Sequence, residues 1–208
     1  MSPDQARPTR QVDGYRAGVS ALFFLSGFAA LIYQVCWQKQ LNAMLGVDAL
    51  SVVIVVVAFM LGLGIGAVIG GRVADRSQNI LLVFVLIELL IALYGAVSVK
   101  LIAGITGWVG SGTLTTALSA FAALAFPTIL MGMTLPVLVI GLDRRVGNIG
   151  DASGLLYFVN TVGGAVGALL VGLWLFHFMT IPQVVLMAVL ANILVAFGGG
   201  ALIVGRRA

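Results

Sequence analysis

One glutamate carries the chemistry of this chain. Glu88 lies inside the apolar run Ile80–Ile102 and is the one acidic residue deep within such a run. An ionised carboxylate surrounded by hydrocarbon is costly, so a glutamate here faces a bundle interior, pairs, or holds a proton. Two roles are open: it lines a polar pathway or binds a cationic ligand, or it is a structural, hydrogen-bonded glutamate. A second group is Tyr157, Asn160 and Thr161. Spacings of three and four put them on one helix face, where they can bond to another helix or join Glu88 along a pathway. Tyr33, Gln34 and Trp37 form a third group. An amide beside aromatic rings can grip a cation, and the same residues serve as interfacial anchors. His177, the single histidine, has no second ligand at metal spacing, and Cys36 is the single cysteine, so neither a metal nor a cofactor is expected. No nucleophile–base set appears, which argues against an enzyme.

The elements that hold these residues are legible from hydropathy. The chain is 61% hydrophobic and 9% charged, far below the roughly 25% charge of soluble domains. Its apolar runs reach about 20 residues, the length a helix needs to cross a bilayer. The fold class is all-α: a polytopic membrane protein of six transmembrane helices, expected at Ala17–Gln38, Ala49–Gly71, Ile80–Ile102, Leu114–Leu142, Gly154–Phe178 and Pro182–Val204. Residues 1–16 read as an N-terminal tail, 17–204 as the membrane domain and 205–208 as a C-terminal tail. The polar start of the chain does not resemble a cleavable signal peptide. Pro127 and Pro136 predict a kinked or broken fourth helix.

The cations predict orientation. Arg7, Arg10, Arg16, Arg72, Arg76, Arg144, Arg145, Arg206 and Arg207 all fall on one side of the six spans, and only Lys39 and Lys100 fall on the other. The positive-inside rule then puts both termini in the cytoplasm, with the protein in the cell (inner) membrane. Arginines at span ends are topology determinants, so the net charge of +4 does not imply nucleic acid. Trp37, Trp108 and Trp174 are expected as anchors at the outer ends. Gly62, Gly66 and Gly70 form one stripe, and Gly163 and Gly167 another, for close packing within the bundle or between copies in a homodimer. The glycine-striped second and fifth helices suggest a 3+3 inverted repeat, a transporter signature. Gly64-x-Gly66-x-x-x-Gly70 loosely mimics a dinucleotide loop, but it sits inside an unbroken apolar run.

Two resemblances follow from motifs. Gly70-Gly-Arg-Val-Ala-Asp-Arg76 resembles the loop between helices two and three of the major facilitator superfamily. That resemblance implies a cytoplasmic loop in which Arg72, Asp75 and Arg76 join helix ends through charge pairs. A longer resemblance is carried by Phe24-Leu-Ser-Gly-Phe-Ala-Ala-Leu-Ile-Tyr-Gln-Val-Cys-Trp37, Phe59-Met-Leu-Gly-Leu-Gly-Ile-Gly66, Glu88-Leu-Leu, Pro127-Thr-Ile-Leu-Met-Gly-Met-Thr-Leu-Pro136 and Tyr157-Phe-Val-Asn-Thr-Val-Gly-Gly-Ala-Val-Gly167. These stretches resemble the membrane domain of the membrane-bound spermidine synthase-like (polyamine aminopropyltransferase) family. In that family a soluble synthase domain follows the helices; this sequence reaches Ala208 without one, so synthase activity is not carried over. The expected function is a small transporter-like module for a polar or cationic solute such as a polyamine. The alternative is a non-transporting subunit that anchors a separate membrane or cytosolic enzyme.

Overall fold

A computed structural model of the chain describes residues 6–46, 48–109 and 113–204. Among them are six helices, each long and apolar enough to cross a membrane, and the protein is a multi-pass membrane protein. They are α1 (Ala6–Leu45), α2 (Asp48–Arg76), α3 (Ile80–Val109), α4 (Thr113–Val146), α5 (Ile149–Phe178) and α6 (Ile181–Val204). The expected tail 205–208, with Arg206 and Arg207, lies outside the described residues, as do the side chains of Arg7, Arg10, Trp108 and Arg145.

The structure corrects several boundaries. The expected N-terminal tail is helical from Ala6 and runs straight into the first span. Arg72, Asp75 and Arg76 belong to the last turns of α2 rather than to a loop. Helix α4 is unbroken across both prolines. α5 instead carries the irregularity, a π-helical turn at Val171–Leu175. Glycines end α1 and α4: Gly46 (φ 68°) and Gly147 (φ 70°) adopt the left-handed conformation open to glycine, and their amides close the last turns on Asn42 O at 2.9 Å and Asp143 O at 2.7 Å.

Pro127 has no N–H to give Ala123 O, the carbonyl one turn before it. Tyr94 on α3 supplies the donor instead, its hydroxyl 2.6 Å from Ala123 O. This bond lets the helix continue in lipid, where a carbonyl has no water to turn to. Tyr94→Phe should therefore cost about 1 kcal/mol in a Pro127 background. With Pro127→Ala, whose new amide can reach Ala123 O, the loss should shrink toward zero. Thermal unfolding of the four proteins in detergent measures the coupling; equal losses in both backgrounds would refute it.

The two halves pack alike. α2 lies along α4 and α5 along α1; α3 meets α4 and α6 meets α1; α3 and α6 cross each other. Exchanging helices one to three with four to six returns the same principal set of neighbours. Three helices per half reverse direction, so this is the geometry of an inverted repeat. The register agrees. Glu88 and Asn192 are 104 positions apart, and the same spacing relates buried Ile91 to Val195 and Gly95 to Gly199. Between α1 and α4 the spacing is one residue longer, relating Gly27 to Gly132, Ile32 to Val137 and Tyr33 to Leu138, all buried. In α2 and α5, Gly62 and Gly66 correspond to Gly163 and Gly167.

The glycine stripes serve this packing. A Cβ on Gly66 would come within 2.8 Å of Gly132 Cα, and one on Gly70 within 2.7 Å of Met133 Cα. A Cβ on Gly62 would collide with Thr128, whose Oγ1 lies 3.1 Å from Ala58 O on α2 and also donates within α4. Gly163 and Gly167 press on the backbone of Phe24 and Phe28 in α1. Both stripes are thus occupied inside one chain. At the arginine-rich end, Arg144 caps the end of α2, donating to Ala74 O at 3.0 Å and Ser77 O at 2.8 Å. Arg16, about three turns into α1, pairs at 2.9 Å with Asp151 in the first turn of α5.

Candidate functional site

The site grows from the α3–α6 crossing. Glu88 is fully buried. Its Oε1 accepts the Ser26 hydroxyl from α1 at 2.6 Å, and its Oε2 accepts Asn192 Nδ2 from α6 at 2.6 Å. Three helices therefore meet on one carboxylate through neutral donors. Because Asn192 turns its N–H group to the carboxylate, its Oδ1 is the atom left over. That oxygen is buried and, among the described residues, has no hydrogen-bond partner. Asn192 itself is 1% exposed and sits halfway along α6. A buried acceptor with no donor costs free energy until a ligand or water supplies one.

Beside it lies a cavity of about 270 Å³ with residues of all six helices in its wall. Its polar lining is Ser26 and Gln34 of α1, Thr134 of α4, Asn160 of α5 and Asn192 of α6. Ile91 of α3 and Phe59, Met60 and Leu63 of α2 supply apolar wall. The position agrees with the repeat: α3 and α6, which exchange places between the halves, meet each other, and the cavity wall takes residues from both halves.

The predicted residues separate. Glu88 stands one layer behind the wall, holding Ser26 and Asn192. Gln34 and Asn160 line the cavity. Asn160 reaches it because Gly27 of α1 leaves room against its backbone and side chain. Tyr157 and Thr161 do not join it; both are exposed on the surface of α5. Tyr33 does not line the cavity either. It is fully buried, stacks on Trp37 with ring centroids 5.2 Å apart, and packs its ring on Gly95. Trp37 is not the expected anchor. It is fully buried, donates from Nε1 to Ser98 Oγ at 3.0 Å, and meets Phe59 and Tyr94 at 6.1 Å. Trp174 is exposed, as an anchor would be. Lys39 lies over the Phe176 ring at 3.8 Å.

Sequence reasoning missed Asn192, Ser26 and Thr134. The usable signal for Asn192 was its place in the repeat, opposite Glu88. Among the described residues, no three His, Cys, Asp or Glu side chains could hold a metal ion. Compared with family models, curated proteins and solved structures, the chain matches none.

Proposed function

We propose that the chain is a small transporter-like membrane protein whose central cavity binds a cationic solute. The observation that carries this reading is the buried Asn192 Oδ1, left without a partner among the described residues while Glu88 holds the N–H group, in a residue that lines a cavity shared by all six helices. Beside the unpartnered Asn192 oxygen the site offers the hydroxyl lone pairs of Ser26 and Thr134, whose protons go to Glu88 and Met131 O, and the amides of Gln34 and Asn160, which can turn an oxygen toward a donor. Such a lining suits an ammonium group, which has donors and no acceptor. Glu88, behind it, supplies the negative field without touching the solute. The spermidine synthase-like resemblance makes a polyamine the first solute to test. The arginine bias supports both termini in the cytoplasm, in a bacterial-type inner membrane.

Glu88→Gln is the direct test. A glutamine puts an N–H group where one carboxylate oxygen stands, so with Ser26 still donating to its oxygen the Asn192 N–H group loses its acceptor. Asn192 then turns its oxygen to the new amide and shows its N–H group to the cavity. Spermidine flux into proteoliposomes should fall at least about tenfold, matching the 1.4 kcal/mol or more expected of a hydrogen bond to a charged group, while the protein still assembles. Unchanged flux would remove the reading.

A further inference from the structure

Part of the cavity wall lies on α2, at the depth of the membrane. Val56, Phe59, Met60 and Leu63 bring it to the edge of α2, and Met60 is midway along that helix. Met60 is 72% exposed and Leu63 42% exposed, so the same residues that wall the cavity also form the outer surface. In a membrane-spanning chain that surface is covered by acyl chains. That side of the wall is apolar, while the polar lining comes from α1, α4, α5 and α6. We infer that the ligand is an amphipathic cation, a primary amine or ammonium carrying a hydrocarbon chain, which enters from within the bilayer with its head at Asn192 and its chain past Met60.

The inference rests on the cation-binding reading of the same cavity and narrows it. The cavity of about 270 Å³ is close to the roughly 300 Å³ at which ligand pockets begin, more than an ammonium head fills. A polyamine fits only with its further charges kept among the polar lining of α1, α4 and α5, because an unpaired charge beside Met60 and Leu63 is costly. A hydrocarbon chain meets no such penalty there. A carboxylate or phosphate head could take N–H groups from Gln34 and Asn160 but would meet the Glu88 carboxylate and the unpartnered Asn192 oxygen behind them, so the site favours the cation.

The test is photolabelling of the full chain in nanodiscs with dodecylamine bearing a diazirine at mid-chain. The expected label falls on the peptide holding Val56–Leu63 and is displaced by plain dodecylamine. Dodecanoate bearing the same diazirine should label at least about tenfold less, as expected from losing charge-assisted hydrogen bonds. Asn192→Leu and Gln34→Leu should each lower amine labelling; two variants guard against one failing to assemble. Equal labelling by amine and carboxylate, or label spread evenly over the lipid-facing helices, overturns the inference. If spermidine is transported but the alkylamine does not label, the inference falls and the transport reading stands. If neither occurs, both fall.

Discussion

Gly66→Leu should prevent the bundle from assembling, and Gly64→Leu should be tolerated. The two glycines are neighbours on one helix and differ only in what they face. A Cβ on Gly66 meets the backbone of α4, including Gly132 Cα at 2.8 Å; one on Gly64 has nothing within 4 Å. A backbone contact cannot be relieved by a rotamer change, so α2 and α4 must separate along their length. Overpacking of this kind costs roughly 1–3 kcal/mol even where side chains can yield, and here they cannot. Size-exclusion profiles and thermal unfolding in mild detergent would show aggregation for the first variant and a native peak for the second. Comparable profiles would mean that helix propensity, not close approach, governs this stripe.

The second large effect concerns Glu88 and Asn192. Removing either partner alone should hurt stability more than removing both. Asn192→Leu leaves a buried carboxylate oxygen without its donor; Glu88→Leu leaves the Asn192 amide and the Ser26 hydroxyl unmet. Each loss is expected at about 1–3 kcal/mol. In Glu88→Leu/Asn192→Leu two apolar side chains meet, as when buried polar pairs become hydrophobic, and the remaining penalty is that of the Ser26 hydroxyl, which can turn to a carbonyl of its own helix. Solute flux should be absent in all three. Stability and activity therefore part in the double variant. If it is less stable than both single variants, the network holds the fold together and is not a device retained for binding.

Much of the fold was legible in the sequence because lipid imposes few solutions. A run of apolar residues long enough to cross must be helical, so the number and order of the helices followed from hydropathy. Boundaries followed less well. Arg72, Asp75 and Arg76 look like loop residues but sit in helical turns beyond the apolar run, where polar side chains suit a helix emerging into headgroups. Partners across helices were not legible. Trp37 was read from its place near a span end, yet Ser98 on α3 gives its N–H a buried acceptor and draws it inward. Tyr157, Asn160 and Thr161 share a helical arc, but Gly27 admits only Asn160 to the interior. Pro127 signals a break, and only the contact with Tyr94 explains its absence. Asn192 stayed hidden because one amide in an apolar span carries no period; it gains meaning only when the halves are superposed.

That superposition has a consequence for how such a chain can arise. If the bundle were two identical three-helix units inserted in opposite orientations, the residue on the shared axis would face its own copy. A glutamate there would face a glutamate, two carboxylates in contact within hydrocarbon. An asparagine would face an asparagine, with no charge at all. A carboxylate opposite an amide is a pairing that identical units cannot make. Joining the halves in one polypeptide lets the two positions differ, and the Glu88–Asn192 contact is one that only the joined chain can make.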